Sequence, residues 1–146
     1  MARKEDKIAR FQLFESVTGK ERKYRRDALS LEISPAWLDL SAIAREMYHE
    51  MKRQYNGRPN KEIAVLYGNV DMERLTRLFF YNQAIAIQSG LYGRTRTGEF
   101  GFNARTFRQA RQELIDHGFI QIFREGKGQG NKTIYEFIPN WKQWKK

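Results

Sequence analysis

Residues 102–119 read FNARTFRQARQELIDHGF, and the apolar positions inside this stretch recur at helical spacing. Phe107, Ala110 and Leu114 form one stripe, flanked by Phe102 before it and Phe119 after it, so one face of the segment is built to be buried. Asn103 stands where a side-chain oxygen can accept from a free backbone N–H at a helix start. Gly118 stands where a left-handed residue stops one. The pattern predicts a helix over 103–117.

At about 100° per residue, Arg105, Gln109, Gln112 and Asp116 fall opposite the stripe, with Arg108 on its flank. Arginine and glutamine carry paired donors and acceptors that match guanine and adenine edges in a DNA major groove. On periodicity alone, this is equally the solvated face of an ordinary amphipathic helix. The residues that follow are more specific. FIQIFRE, a glycine-rich basic tip over 126–132 (GKGQGNK) and TIYEFI read as two short strands joined in a β-hairpin.

The composition limits what such a unit can do. A chain of 146 residues with 40% hydrophobic residues suits one packed core. Lys and Arg number 27 against 17 acids, a formal charge of +10, which favours polyanionic partners. No apolar run of spanning length and no signal-peptide core is apparent, so the expectation is a cytoplasmic protein without a membrane partner. The sequence has no cysteine, which excludes disulfides, thiolate catalysis and cysteine-based zinc sites. His49 and His117 are the only histidines, so no metal is expected, and both read as surface or internally satisfied side chains. No phosphate-binding Gly-Lys-Ser/Thr motif and no carboxylate cluster occurs, so neither a cofactor nor catalysis is expected.

Along the chain, residues 1–28 read as a basic arm with nine Lys/Arg, five Asp/Glu and few apolar residues. The arm is either solvated or seeks phosphates through its 20–26 cluster. A core helix follows within 29–57, with Ser41 as its cap, Asn56-Gly57 as its stop, and a stripe of Leu40, Ile43, Ala44, Met47, Tyr48, Met51 and Tyr55. Arg45, Glu46, Glu50, Lys52 and Arg53 are expected to face water. Residues 58–75 read as an insertion in which 63–67 suits strand or helix. Beyond it, 78–80 is either an edge strand before a short helix over 81–88, with Ala84, Ile85 and Ile87 inward, or part of one helix over 72–88. Residues 89–101 form a glycine-rich loop carrying Arg94 and Arg96. The two tryptophans of the last six residues are expected to pack back on the body.

The order helix, Gly-Phe-Ile, strand, basic tip, strand resembles the winged helix-turn-helix domains. SPAWLDLS (34–41), with a helix ending Tyr-Asn-Gly (55–57), is similar to the first helix of members carried by phages and plasmids, replication-initiator-like and regulatory proteins among them. The resemblance covers about residues 29–140 and is most specific at 104–114 and 118–120. It implies a mainly helical α+β domain over 29–146 with a C-terminal hairpin wing, and it favours the edge strand at 78–80. It also implies binding to double-stranded DNA, in transcription regulation or replication control. Arg105, Thr106, Arg108, Gln109 and Gln112 fall where such proteins touch the groove, and Lys127, Gln129, Asn131 and Lys132 fall at the wing tip. Arg94 and Arg96 add a third basic element. The link over 89–102 is longer than the turn of about three or four residues in a helix-turn-helix. An RNA or single-strand binding role is the alternative, and a homodimer is left open.

Overall fold

The computed structural model describes residues 9–10, 12–14, 16–17, 20–21, 28–88, 104–126 and 132–146. In chain order these form strands β1 (Ala9–Arg10) and β2 (Lys20–Glu21), then helices α1 (Leu29–Glu32), α2 (Pro35–Asp39), α3 (Ala42–Lys52), α4 (Lys61–Leu66) and α5 (Met72–Leu75). Strand β3 (Leu78–Phe80), helices α6 (Gln83–Gln88) and α7 (Ala104–Asp116), strands β4 (Ile120–Arg124) and β5 (Ile134–Phe137), and a 3₁₀ turn over Asn140–Gln143 complete the chain. The described residues make a mainly helical α+β protein. Its principal sheet is antiparallel, in the order β3-β5-β4.

Sheet register sorts the side chains onto two faces. Phe79 pairs with Tyr135 and Phe80 with Ile134, while Ile120 pairs with Phe137 and Ile122 with Tyr135. On one face Phe79 and Phe137 stack at 4.4 Å, and the main core continues through Phe119 to Tyr48, Trp37 and Trp141. Helices α3 and α7 close this face. Phe107, Ala110 and Leu114 of α7 are buried, as their spacing predicts, and so are Ala44, Met47, Tyr48 and Met51 of α3. The Ser41 hydroxyl caps α3 by accepting from the Ala44 N–H at 3.2 Å. Asn103, read as the α7 cap, lies outside the described residues.

The other face is covered by the 58–75 segment. The 63–67 run is helical through Leu66, where α4 ends with Tyr67 as its C-cap, because Asn60 Oδ1 accepts from the N–H groups of Glu62 (2.9 Å) and Ile63 (3.1 Å) and so nucleates a turn. Ile63 and Leu75 join Leu78 and Ile134 in a second apolar cluster, with Tyr67, Val70, Phe80 and Phe123 at its rim. Strand β5 is consequently buried at every position.

Four expectations are corrected. Ile43 is 40% exposed rather than on the α3 stripe, since the helix begins only one residue earlier and its inward face runs through Ala44, Met47, Tyr48 and Met51. Glu50 and Lys52 are buried rather than facing water. The Lys52 ammonium lies 5.0 Å from the Phe14 ring centre and 5.2 Å from that of Tyr55, a desolvated cation over two π faces. Glu50 pairs with Arg53 at 2.8 Å. In α6, Ala86 is buried and Ala84 exposed, because Asn82 accepts from the Ile85 N–H at 2.8 Å and sets the helix phase; the Ile87 side chain lies outside the described residues.

The N-terminal segment also enters the core. Phe14 is 2% exposed, stacks on Phe137 at 4.9 Å, and its carbonyl accepts from Trp141 Nε1 at 2.7 Å. Truncating Phe14 to Ala removes a buried ring at the junction of both chain ends, and stability should fall by about 3–5 kcal/mol in denaturant titration. Gly118 has φ +83°, and a Cβ there would lie 2.6 Å from the Trp141 nitrogen. Gly118→Ala combines left-handed strain with overpacking against backbone, so a loss of about 2–4 kcal/mol is expected in the same titration. A neutral result would show that the turn and the 3₁₀ segment are not pressed together.

Candidate nucleic-acid interface

Helix α7 divides its polar face along its length. Arg105, Arg108 and Gln109 in the first half are exposed, with Thr106 half-buried beside them. Among the described residues no carboxylate pairs with Arg105, Arg108 or Gln109. Arg111 is different: it is half-buried, its Nη1 donates to the Tyr135 hydroxyl at 3.4 Å, and its guanidinium lies 5.8 Å from the centre of the Phe107 ring. Burial raises the Tyr135 hydroxyl above its ordinary value of 10.0, an effect that the Arg111 contact partly offsets. Arg111 is therefore committed to the sheet.

The second half of α7 is tied down. Gln112 is exposed, but its amide donates to Asp116 at 2.8 Å, one turn further on. Glu113 reaches across to the start of α3, where Oε1 accepts from the Ser41 N–H (2.9 Å) and Oε2 from the Ser41 hydroxyl (2.7 Å). A carboxylate at a helix N-terminus is also favoured by the helix dipole. His117 Nε2 donates to Asp39 Oδ2 at 2.8 Å, its Nδ1 lies 2.8 Å from the Glu113 carbonyl oxygen, and its ring stacks on Trp144 at 4.5 Å. These contacts fix the rotation of α7 about its own axis, and hence which side chains point outward.

The open half of α7 lies at the same end of the molecule as the base of the β4–β5 hairpin. Phe107 stacks on Tyr81 at 6.0 Å, and Tyr81 directly follows β3. The last row of the sheet runs Phe80, Ile134, Arg124 across the three strands. Lys132 is exposed on the hairpin's returning leg, with its ammonium 5.6 Å from the centre of the Phe80 ring. Of the sequence-derived candidates, Arg105, Thr106, Arg108, Gln109 and Lys132 are thus gathered at one end, and Gln112 lies further along the helix. Lys127, Gln129, Asn131, Arg94 and Arg96 lie outside the described residues. Arg124 was not among the candidates and joins them; its signal was an arginine two residues before the glycine-rich tip, separated from it by Glu125.

Among the described residues no helix is long and apolar enough to cross a membrane, and no group of three or more His, Asp and Glu side chains is placed to hold a metal ion.

The Asp39–His117 contact gives the orientation of α7 a pH dependence. The His117 hydrogen bond, and to a lesser extent Lys146, hold the Asp39 carboxyl below its ordinary value of 3.8. A depressed carboxylate stabilises the fold above that ordinary value, and the contribution disappears as pH falls through the lowered one. Asp39→Ala should therefore be less stable than the wild type at neutral pH, and the gap should close below pH 3.8 in acid-dependent denaturation curves. A gap unchanged by acid would remove the Asp39 carboxylate's hydrogen bond to His117 from the account.

Comparison with protein-family models, with curated proteins and with solved structures finds no match to this chain.

Proposed function

We propose that the chain is a winged-helix protein that binds double-stranded DNA, acting in transcription regulation or in plasmid or phage replication control. The observation that carries this reading is the exposed trio Arg105, Arg108 and Gln109 on the first half of α7, unpaired with any carboxylate among the described residues, at the same end as the hairpin base. The order α3, β3, α6, α7, β4, β5, with β5 hydrogen-bonded between β3 and β4, supports the winged-helix part. In this reading α7 enters the major groove by its N-terminal half, where arginine and glutamine meet base edges. The 126–132 tip is the wing. Its lysines meet phosphates, as do Arg94 and Arg96, and supply affinity and register rather than sequence information. The role is binding, with no reaction assigned to any side chain.

Selection of bound duplexes from a random pool, followed by titration against duplex and single-stranded competitors, tests the reading. Binding should favour duplex and fall steeply with salt, by orders of magnitude between low and physiological ionic strength if six or more phosphates are met. A palindromic motif would indicate two copies on one site. Arg108→Ala or Gln109→Ala should cost about 1–3 kcal/mol on the selected site and much less on random DNA. Lys132→Ala should weaken binding to all sequences alike and lower the salt slope by about one. Preference for single strands, or sequence preference that moves with Lys132 and not with the helix, would overturn these assignments.

A further inference from the structure

Four cations approach the outer face of the sheet, and they are used in two different ways. Arg74 and Arg77 are consumed by the buried Glu136: Arg74 donates through Nε (3.2 Å) and Nη2 (3.0 Å), and Arg77 through Nη2 (3.4 Å). Arg124 and Lys132 have no carboxylate partner among the described residues. Each lies instead over an aromatic ring, Lys132 over Phe80 and Arg124 over Tyr67, the latter at 5.9 Å. Arg124 is also held at one nitrogen, its Nη1 donating to the Tyr67 hydroxyl at 2.7 Å. An exposed arginine fixed in this way keeps its charge and its remaining N–H donors for something outside the protein.

The local fold explains how Tyr67 and Arg124 meet. In a regular strand Phe123 and Arg124 would point to opposite faces. Here the pairing shifts between Ile122 and Arg124, which oppose Tyr135 and Ile134 in turn, so that Phe123 is bulged. The bulge lets Arg124 share the outer face with Phe123, as such bulges commonly re-aim a side chain. Tyr67 then contacts both, its ring meeting Phe123 edge-on at 5.1 Å. The Arg74 guanidinium also lies over the Phe123 ring, 4.9 Å from its centre, while its donors engage Glu136. The 61–77 segment is thus braced on the outer face of the sheet at the hairpin base, across the sheet from the face that α7 closes.

We propose that this segment extends the nucleic-acid interface: Tyr67 is a positioning residue that holds Arg124 for a backbone phosphate next to the one met by the wing. The proposal rests on the DNA-binding reading. A preset guanidinium loses less side-chain freedom on meeting a phosphate than a free one does, and its planar fork suits two phosphate oxygens. The contact carries no sequence information.

The test is a double-mutant cycle on the full chain, with binding to a selected and to a scrambled duplex measured across a salt series. Arg124→Ala should weaken binding to both duplexes by about tenfold and lower the salt slope by about one. Tyr67→Phe keeps the ring and removes only the hydroxyl. It should leave the melting temperature unchanged, weaken both duplexes by about three- to fivefold, and add nothing in the Arg124→Ala background. Tyr67→Phe binding like the wild type, full additivity of the two changes, or weaker binding that tracks a lowered melting temperature would overturn the positioning role. An unchanged salt slope for Arg124→Ala, with Arg108→Ala still impaired, would overturn the phosphate contact and leave the DNA-binding reading standing. Absence of wild-type binding to any duplex at low salt would overturn both.

Discussion

A carboxylate with almost no solvent contact holds the sheet to what covers it. Glu136, 4% exposed on the central strand, accepts from Arg74 and Arg77 on one side and from the Gln121 amide at 2.8 Å on the other. Burying a charge costs several kcal/mol that only well-placed partners recover, and removing one partner from such a group typically costs about 3–5 kcal/mol. The pairing therefore does more to specify than to stabilise. Arg74 can reach Glu136 only if α5 lies across the outer face, and Gln121 only if β4 is in register. Once α5 is there, Ile63 and Leu75 exclude water from Leu78 and Ile134, and β5 loses its solvent side. A segment between α3 and β3 thereby becomes part of the sheet's packing.

The inner face is organised by aromatic rings. Phe79, Phe137 and Phe14 stack in sequence, and Phe14 brings the N-terminal residues under Trp141 near the other end of the chain. Offset and edge-to-face pairs of this kind add about 0.5–1.5 kcal/mol each beyond the area they bury. They also set where α7 sits, because Phe107 and Leu114 fill the space beside these rings. The polar contacts of Glu113 and His117 then settle its rotation.

What could be read from the chain follows from the strength of each local signal. Helix α7 repeats its stripe over 13 residues and ends at a glycine with positive φ, and α3 runs for 11 residues from a serine cap. Both were legible in the sequence. The α4 and α5 helices span only six and four residues, too short for a period to emerge, and Val65, Leu66 and Met72 in them are exposed. Their fold depends on an Asn cap and on Glu136, about sixty residues away in sequence. Lys52 and Phe14 illustrate the same limit: one is charged and buried, the other lies in a basic stretch, and each is explained by the other's ring or ammonium. The candidate interface was legible where it rode on α7. Arg124 was missed because its outward aim depends on a bulge and on Tyr67, neither of which leaves a periodic trace.

The net charge alone says less about the interface than the placement of individual arginines. Arg45 donates to the carbonyls of Trp37 (3.1 Å) and Leu38 (3.0 Å), Arg53 neutralises Glu50, Arg74 and Arg77 serve Glu136, and Arg111 bonds the Tyr135 hydroxyl. These five side chains hold helices and strands together, and their charge is turned inward or paired. Among the described residues, Arg105 and Arg108 on the first half of α7 and Arg124 and Lys132 at the hairpin base are exposed cations with no carboxylate partner. Fields between exposed charges fade over about 8 Å at physiological ionic strength, so only cations gathered within that range act together on one partner. The contacts that commit the second half of α7 to Ser41 and Asp39 therefore shape the proposed interface indirectly. They leave the helix one exposed basic end, toward the hairpin base where Arg124 and Lys132 are exposed.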